Sequence, residues 1–192
     1  MERYIKDNMN IEITGASGAG KTYLGKALAE KLNCNFVDTD DILWVWDENV
    51  QPYTIAVDEK IACQKLKEEL ENHKNTVASG MFYPWSEDLI SYFRLLIVLD
   101  TNKEIRRKRI IKREEEMYGE RFKKNGDMYD QFTNYLNWSM NYDTSSDELG
   151  SKFATDKWER KFSCDVLHID GSLDLEEKIK IILNKINEII EQ

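Results

Sequence analysis

Short apolar runs alternate along the chain with longer stretches in which apolar residues recur every three or four positions. Short apolar runs bounded by polar or turn-forming residues predict buried β-strands. They lie at Asn10–Thr14, Asn35–Thr39, Thr76–Ser79, Leu95–Leu99 and Val166–Ile169. Strands that alternate with helices are typical of an α/β domain with a mostly parallel sheet. We therefore predict an α/β fold whose ligands bind at the carboxyl ends of the strands.

Three longer stretches have the apolar spacing of amphipathic helices. They are Lys21–Leu32, Ile55–His73 and Leu175–Ile190. The last is preceded by Asp174, with Glu177 three residues on, which is the spacing of a capping box. The region Tyr118–Lys161 is polar, aromatic and helix-biased, with no strand signal. We therefore place it outside the sheet, as a lid and its supporting helices.

The sequence after the first predicted strand fits the phosphate-binding motif GxxxxGK[ST], and a predicted helix follows it directly. Glycines there let successive backbone N–H groups point at phosphate oxygens, and the helix N-terminus adds partial positive charge. The residues expected to bind ATP are Gly15, Ser17, Gly18, Ala19, Gly20, Lys21, Thr22 and Tyr23. Lys21 would reach the terminal phosphates, and the Thr22 hydroxyl would ligate Mg²⁺. The alternative is a glycine-rich turn that only joins the strand to the helix.

Three carboxylates, Asp38, Asp40 and Asp41, follow the second predicted strand within four positions. By the period of two in a strand, Asp38 and Asp40 share a face and Asp41 does not. We expect Asp38 to hold Mg²⁺ through water and Asp40 to bind the acceptor and take or position its hydroxyl proton. The alternative is that Asp40 or Asp41 only caps a following turn.

These segments resemble the nucleotide and shikimate kinase group of small P-loop kinases. The resemblance rests on the P-loop, the Asp38-Thr-Asp40 sequence, Ala78-Ser-Gly80 after the third strand and the arginine-rich helix with Tyr118-Gly119. More narrowly, the chain resembles a family of adenylate-kinase-related proteins. The segments that carry this resemblance are Gly15–Thr22, Asp38–Trp44, Arg113-Glu114, Tyr118-Gly119, Gly126-Asp127-Met128, Trp138, Tyr142-Asp143-Thr144 and Asp170-Gly171. The resemblance implies a single domain over residues 1–192 with a five-stranded parallel sheet in three α/β/α layers. It also implies an acceptor-binding insertion at about 41–74 and a lid at about 113–130.

Positive charge is concentrated between Lys103 and Lys124, which include ten basic residues and five glutamates. Arginines at 106, 109 and 113 are spaced to share one helix face, whereas Arg107 lies off it. By position, the resemblance implies that Arg109 lies against the adenine and that Arg113 and Arg121 act on the transferring phosphate. The alternative is a solvated helix whose charges only alternate with glutamates.

The acceptor pocket is expected where the loops after the second and third strands meet. Trp44 and Gly80 are the residues assigned to it, because Gly80 has no side chain to keep its backbone N–H from an acceptor. Further aromatic residues in these loops are Trp46, Phe82, Tyr83 and Trp85, for which packing in the core is the alternative. No arginine occurs between Arg3 and Arg94, although an acceptor phosphate is normally bound by arginine.

Composition narrows the class of protein. The net charge of −9 over 192 residues argues against a nucleic acid or an anionic membrane as partner. Three well-separated cysteines and no apolar leader or spanning segment favour a reduced, cytoplasmic protein. The oligomeric state stays open between a monomer and a homodimer. Two structural assignments concern residues outside the motif: His168 in the core, and Thr101 with Glu104 as a capping box.

The leading hypothesis is an ATP- and Mg²⁺-dependent kinase that acts on a hydroxyl or phosphate of a small molecule. A nucleoside monophosphate kinase of adenylate kinase type is the alternative within the same class. In a third hypothesis the chain is a nucleotide-gated regulatory module or a slow ATPase, in which the P-loop binds nucleotide and the lid only senses it.

Overall fold

Five parallel strands form the centre of the fold in the computed structural model, which describes residues 8–47, 53–81 and 84–191. The strands are β1 Asn10–Gly15, β2 Asn35–Asp38, β3 Thr76–Ser79, β4 Phe93–Asp100 and β5 Asp165–Asp170. They pair in the order β2-β3-β1-β4-β5. The chain crosses from one side of β1 to the other between β3 and β4. This confirms the predicted five-stranded parallel sheet and places β1, with the loop that follows it, at the centre.

Helices connect the strands and cover both faces of the sheet. They are α1 Lys21–Leu32, α2 Thr39–Leu43, α3 Glu59–Asn72, α4 Lys103–Tyr118, α5 Tyr129–Met140, α6 Lys152–Glu159 and α7 Leu175–Glu191, with 3-10 helices at Pro84–Tyr92 and Gly119–Phe122. No helix in the described part of the chain is long and apolar enough to cross a membrane. The region 118–161 contains helices and turns and no strand, as its composition predicts.

Alternate residues of the strands supply two separate apolar cores. On one face, residues such as Ile11 and Ile97 pack with Leu24 of α1 and Ile182 of α7. On the other face, Val37, Ala78 and Phe93 pack with Leu66 of α3 and Trp158 of α6. Because both faces are covered, the strands contain nearly continuous apolar residues, which is the pattern that a parallel sheet requires.

The predicted helix Ile55–His73 begins later than its apolar spacing suggests. Asp58 caps α3 by accepting hydrogen bonds from the backbone N–H groups of Lys60 and Ile61. The residues before the cap turn back on the chain instead, because Val45 N–H donates to Ile55 O at 2.9 Å and Val57 N–H donates to Leu43 O at 2.7 Å. Residues 55–57 are thus folded against the end of α2 and the residues that follow it.

Two structural assignments made from the sequence are wrong. His168 lies on the outer part of β5, where its side chain is 46% exposed and forms ion pairs with Asp100 and Glu159. An edge strand leaves room for a polar residue on a face that is otherwise buried. The helix α4 is capped by Asn102, which accepts from Glu104 N–H, whereas the Thr101 hydroxyl donates to Ala19 O in the P-loop.

Candidate active site

The P-loop joins β1 to α1 as its sequence predicts, and its backbone is fixed by contacts from α4. Gly18 has a φ of +77°, and a Cβ atom there would lie 2.7 Å from the Arg106 carbonyl oxygen. Only glycine fits such a position. The Lys21 ammonium group donates to the carbonyl oxygens of Gly15 at 3.0 Å and Ala16 at 3.1 Å, so its side chain folds over the loop. The structure therefore has the loop between β1 and α1 that the motif predicts, and the binding of phosphate there stays a prediction.

Thr22 and Asp38 bring two oxygen donors together beside the P-loop. The Thr22 hydroxyl donates to Asp38 Oδ2 at 2.8 Å, and Asp38 Oδ1 accepts from Asp40 N–H at 3.1 Å as the N-cap of α2. Mg²⁺ prefers such oxygens and commonly takes its other ligands from phosphate and water. The pair fits the predicted metal position, and Asp38 rather than Asp40 or Asp41 caps the turn.

Asp40 lies in the first turn of α2, half-buried and close to Lys21 and Arg113. Burial raises the pKa of its carboxyl group and Asp38 adds to the rise, while Lys21 and Arg113 oppose it. A carboxylate whose pKa is moved towards neutrality is a better proton acceptor than an exposed one. Within the described chain, the Asp40 carboxylate accepts no hydrogen bond. It is available to a hydroxyl group.

Lys21 has the complementary electrostatic environment. Burial lowers the pKa of its ammonium group, while Asp40 and Asp38 raise it and Arg113 lowers it. The positive charge of the Lys21 ammonium group is therefore offset by the two carboxylates before any nucleotide binds. Phosphate oxygens of a nucleotide would therefore compete with these carboxylates for Lys21.

Two of the predicted arginines reach the P-loop region from α4. Arg109 donates to Ala19 O at 2.8 Å and to Gly171 O at 3.0 Å, and thus joins the P-loop to the turn after β5. Arg113 donates from Nε and Nη2 to Glu114 Oε1, at 3.0 and 2.7 Å. Burial opposes the charged form of Arg113, but Tyr135 and Glu114 outweigh this and raise its pKa. Arg113 is therefore charged and held close to Asp40 and Lys21.

The other arginines of this segment lie elsewhere. Arg121 is 58% exposed and forms an ion pair with Asp127 inside the turn after α4, so its role on phosphate stays a prediction. Arg106 is completely buried and donates to Thr101 O, Ser139 O and Asp143. It holds α4 to the end of α5, although its spacing places it with Arg109 and Arg113. Arg107 is exposed, as expected for a residue off that face.

Among the acceptor residues, Gly80 has a different role from the predicted one. Its N–H donates to Ile13 O at 3.1 Å and is used within the sheet. Glycine is required because φ is +142° and a Cβ atom would lie 1.8 Å from Thr39 Oγ1. Trp44 is half-buried, and its backbone N–H donates to Asp40 O at 3.1 Å; its place in an acceptor pocket stays a prediction. Phe82 and Tyr83 lie outside the described residues.

Two remaining members of the predicted ATP site keep their assignments as predictions. Ser17 is half-buried in the P-loop. Tyr23 lies in the first turn of α1, and its side chain is 67% exposed.

Two further residues near Arg113, Tyr53 and Tyr135, were not found from the sequence, and Glu114, which the resemblance names beside Arg113, was given no role. Tyr53 is near Asp40 and Arg113; burial raises its pKa, and Asp40 adds to this rise. Its ring is parallel to that of Tyr135, with centroids 6.2 Å apart. Glu114 pairs with Arg113 and its side chain is 10% exposed. Aromatic residues within the predicted insertion and lid were the available signal, but nothing in the sequence links residue 53 to residue 135.

Comparison with known proteins identifies the family. Residues 11–131 match the AAA_18 family, which is described as an AAA domain. An uncharacterized protein of Bacillus subtilis, YqaC, is 31% identical over 175 residues, which cover 91% of this chain and 96% of YqaC. A shikimate kinase of Caldicellulosiruptor saccharolyticus is 34% identical over 68 residues, 35% of this chain and 36% of that enzyme.

Solved structures share the fold over nearly the whole chain at low identity. A shikimate kinase from Acinetobacter baumannii in complex with shikimate has a TM-score of 0.55 at 16% identity, covering 94% of this chain and 93% of that one. A gluconokinase from Sinorhizobium meliloti has a TM-score of 0.55 at 14% identity, covering 97% and 96%. The chain belongs to the AAA_18 family of P-loop domains, and its fold is that of the shikimate-kinase-like group of small P-loop kinases.

Proposed function

We propose that this protein is an ATP- and Mg²⁺-dependent phosphotransferase that acts on a small-molecule acceptor. The observation that carries the proposal is the meeting of a P-loop, a metal-fitting oxygen pair and a half-buried carboxylate at the carboxyl ends of β1 and β2. Lys21 and Thr22 come from the start of α1, and Asp38 and Asp40 come from the end of β2 and the start of α2, yet the four residues lie together. A site that only bound nucleotide would need no carboxylate free to take a proton.

Each residue has a role in the transfer. The P-loop N–H groups and Lys21 bind the β- and γ-phosphates, and Thr22 and Asp38 hold Mg²⁺, which neutralises phosphate charge when bound. The bond from the γ-phosphorus to its bridging oxygen breaks, a new P–O bond forms to the acceptor oxygen, and ADP leaves. The acceptor's hydroxyl proton passes to Asp40. Arg113, held by Glu114, stabilises the charge that develops on the transferring group.

The test is a panel of metabolites screened for acceptor-dependent release of ADP, above the background of ATP hydrolysis. Lys21→Ala should abolish transfer and ATP binding without unfolding the protein, whereas Lys26→Ala, on the exposed side of α1, should keep both. Calorimetry measures ATP binding, and circular dichroism measures the fold. If Lys21→Ala binds ATP as the unmodified protein does, or if the unmodified protein binds none, the proposed cradle is wrong.

With an acceptor in hand, Asp40→Asn should lower turnover by a factor of ~10² to 10⁴, with little change in ATP affinity. Arg113→Ala should lower turnover more than ATP affinity, whereas Arg107→Ala should change neither. An ATPase rate that no acceptor raises would instead indicate the regulatory module or slow ATPase. Stimulation by nucleoside monophosphates alone would indicate the nucleoside monophosphate kinase, whose acceptor phosphate lacks an arginine partner in the insertion.

A further inference from the structure

Aromatic residues lie close to Asp40. Trp46 donates from its indole nitrogen to Asp40 O at 3.2 Å. The ring of Tyr53 packs edge-on against Trp44 and Trp46, at centroid distances of 5.9 and 5.0 Å, and lies parallel to Tyr135. We refer to Trp44, Trp46, Tyr53 and Tyr135 as the aromatic wall.

The chain segment that includes Trp44, Trp46 and Tyr53 is acidic and contains no basic residue. Residues 39–58 include five carboxylates and no lysine, arginine or histidine. Residues 76–93, which span β3 and the loop after it, also lack basic residues and include Glu87 and Asp88. An anionic group on the acceptor would therefore be repelled by carboxylates, and neither segment has an arginine that could bind it.

Arg113 reaches the wall from α4, but its charge is already balanced. Its guanidinium group lies 5.8 Å from the centroid of the Tyr135 ring and donates to the Tyr135 hydroxyl at 3.2 Å. Glu114, only 10% exposed, accepts two of its hydrogen bonds. The Nε and Nη2 atoms of Arg113 are thus engaged by Glu114 and Tyr135, and the proposed function assigns its remaining charge to the transferring phosphate and not to the acceptor. The arrangement also shows that a ring face of the wall accepts a cation, because aromatic faces carry partial negative charge.

We propose that the acceptor is a hydroxyl-bearing organic cation, an amine or quaternary ammonium compound whose charged nitrogen lies against the aromatic wall while its hydroxyl faces Asp40. The proposal rests on the proposed function, because it assigns the acceptor of that same site. Ring faces and carboxylates together favour a positive charge, and both oppose a carboxylate or phosphate.

The test compares probes of one shape and different charge. Choline, its neutral isostere 3,3-dimethylbutan-1-ol and the anion 3,3-dimethylbutanoate are titrated into the full chain with Mg²⁺ and a non-hydrolysable ATP analogue. Tryptophan fluorescence reports binding, because Trp44 and Trp46 belong to the wall. We expect choline to bind about ten-fold more tightly than the neutral isostere, and the anion to bind more weakly than both.

Variants of Tyr53 test whether the wall causes this preference. Tyr53→Leu should reduce the choline advantage several-fold, whereas Tyr53→Phe, which keeps the ring, should retain it. Tyr92→Leu is the matched control, since Tyr92 precedes β4 at the opposite end of the sheet and binds Glu71. Thermal denaturation confirms that each variant is folded before it is titrated.

The outcomes separate this proposal from the proposed function. Binding of the ATP analogue is measured first, and its absence would overturn both. If the analogue binds but the neutral isostere or the anion binds as well as choline, the cationic acceptor is overturned while the kinase proposal stands. The same holds if none of the three probes gives a saturable response, or if Tyr53→Leu and Tyr92→Leu affect choline equally.

Discussion

Glu12 lies in the middle of β1, where its carboxyl group has an exposure of 0%. The Trp158 indole lies near this carboxyl group, but among the described residues neither Glu12 oxygen nor the indole nitrogen makes a hydrogen bond of ordinary length and angle. Burial raises the pKa of Glu12 well above 4.5, and the nearby Trp158 opposes this only in part. The folded protein therefore holds Glu12 in its neutral form over a range of pH in which the unfolded chain has lost the proton.

This difference makes stability fall as pH rises. Because the pKa is raised in the folded state, the contribution of Glu12 is complete below the ordinary pKa of 4.5 and is lost as pH rises through the folded pKa. The loss is about 1.4 kcal/mol per pH unit between the two pKa values. From pH 5 to pH 7 it reaches about 2.5 kcal/mol when the folded carboxyl remains protonated throughout, and less when it titrates within the interval.

We expect Glu12→Gln to remove this slope. The free energy of unfolding is measured by urea denaturation at half-unit steps of pH for the unmodified protein and for Glu12→Gln. Glu30→Gln, an exposed position on α1, is the control and should change the pH profile little. The difference between Glu12→Gln and the unmodified protein should grow in favour of the variant as pH rises. Parallel pH profiles for the two proteins would refute the argument.

Three further predictions concern stability. Gly80→Ala should destabilise the fold by about 2–5 kcal/mol, because φ is +142° and the new Cβ would meet Thr39 Oγ1. In urea denaturation, Gly119→Ala should lose less, about 1–3 kcal/mol from backbone strain alone, because no atom of the described residues lies within 4 Å of its Cβ. Equal losses would contradict the steric argument. Arg106→Met should lose about 2–4 kcal/mol because two buried carbonyl groups lose their donor, whereas Arg107→Met should be nearly neutral in the same assay. His168→Asn should lower the melting temperature at pH 5 more than at pH 9. Burial lowers the pKa of His168, but Asp100 and Glu159 outweigh burial and raise this pKa, so the stability that the ion pairs add is lost as pH rises through the raised pKa. An equal effect at both pH values would count against these ion pairs.

The sequence by itself determined the elements and the phosphate site. The P-loop is a local structure, since the phosphate binding proposed for Gly15 to Thr22 would use their own backbone and the helix that follows. The positions of the five strands and of α1 and α7 follow from apolar spacing, which reflects whether each element is buried on one face or two. Asp38 and Asp40 could also be identified from the sequence, because they lie at the carboxyl end of a predicted strand, which is where ligands bind in a parallel sheet.

The tertiary structure decided which distant residues meet. The order of the strands depends on long-range pairing, and it leaves β5 at an edge where His168 is exposed. Helical spacing places Arg106 and Arg113 on the same face of α4. In the structure, however, Arg106 is buried against the end of α5, while Arg113 reaches the candidate site. The stacking of Tyr53 on Tyr135 joins residues 82 positions apart. Such contacts depend on how helices pack on the sheet, which the spacing within one element does not specify.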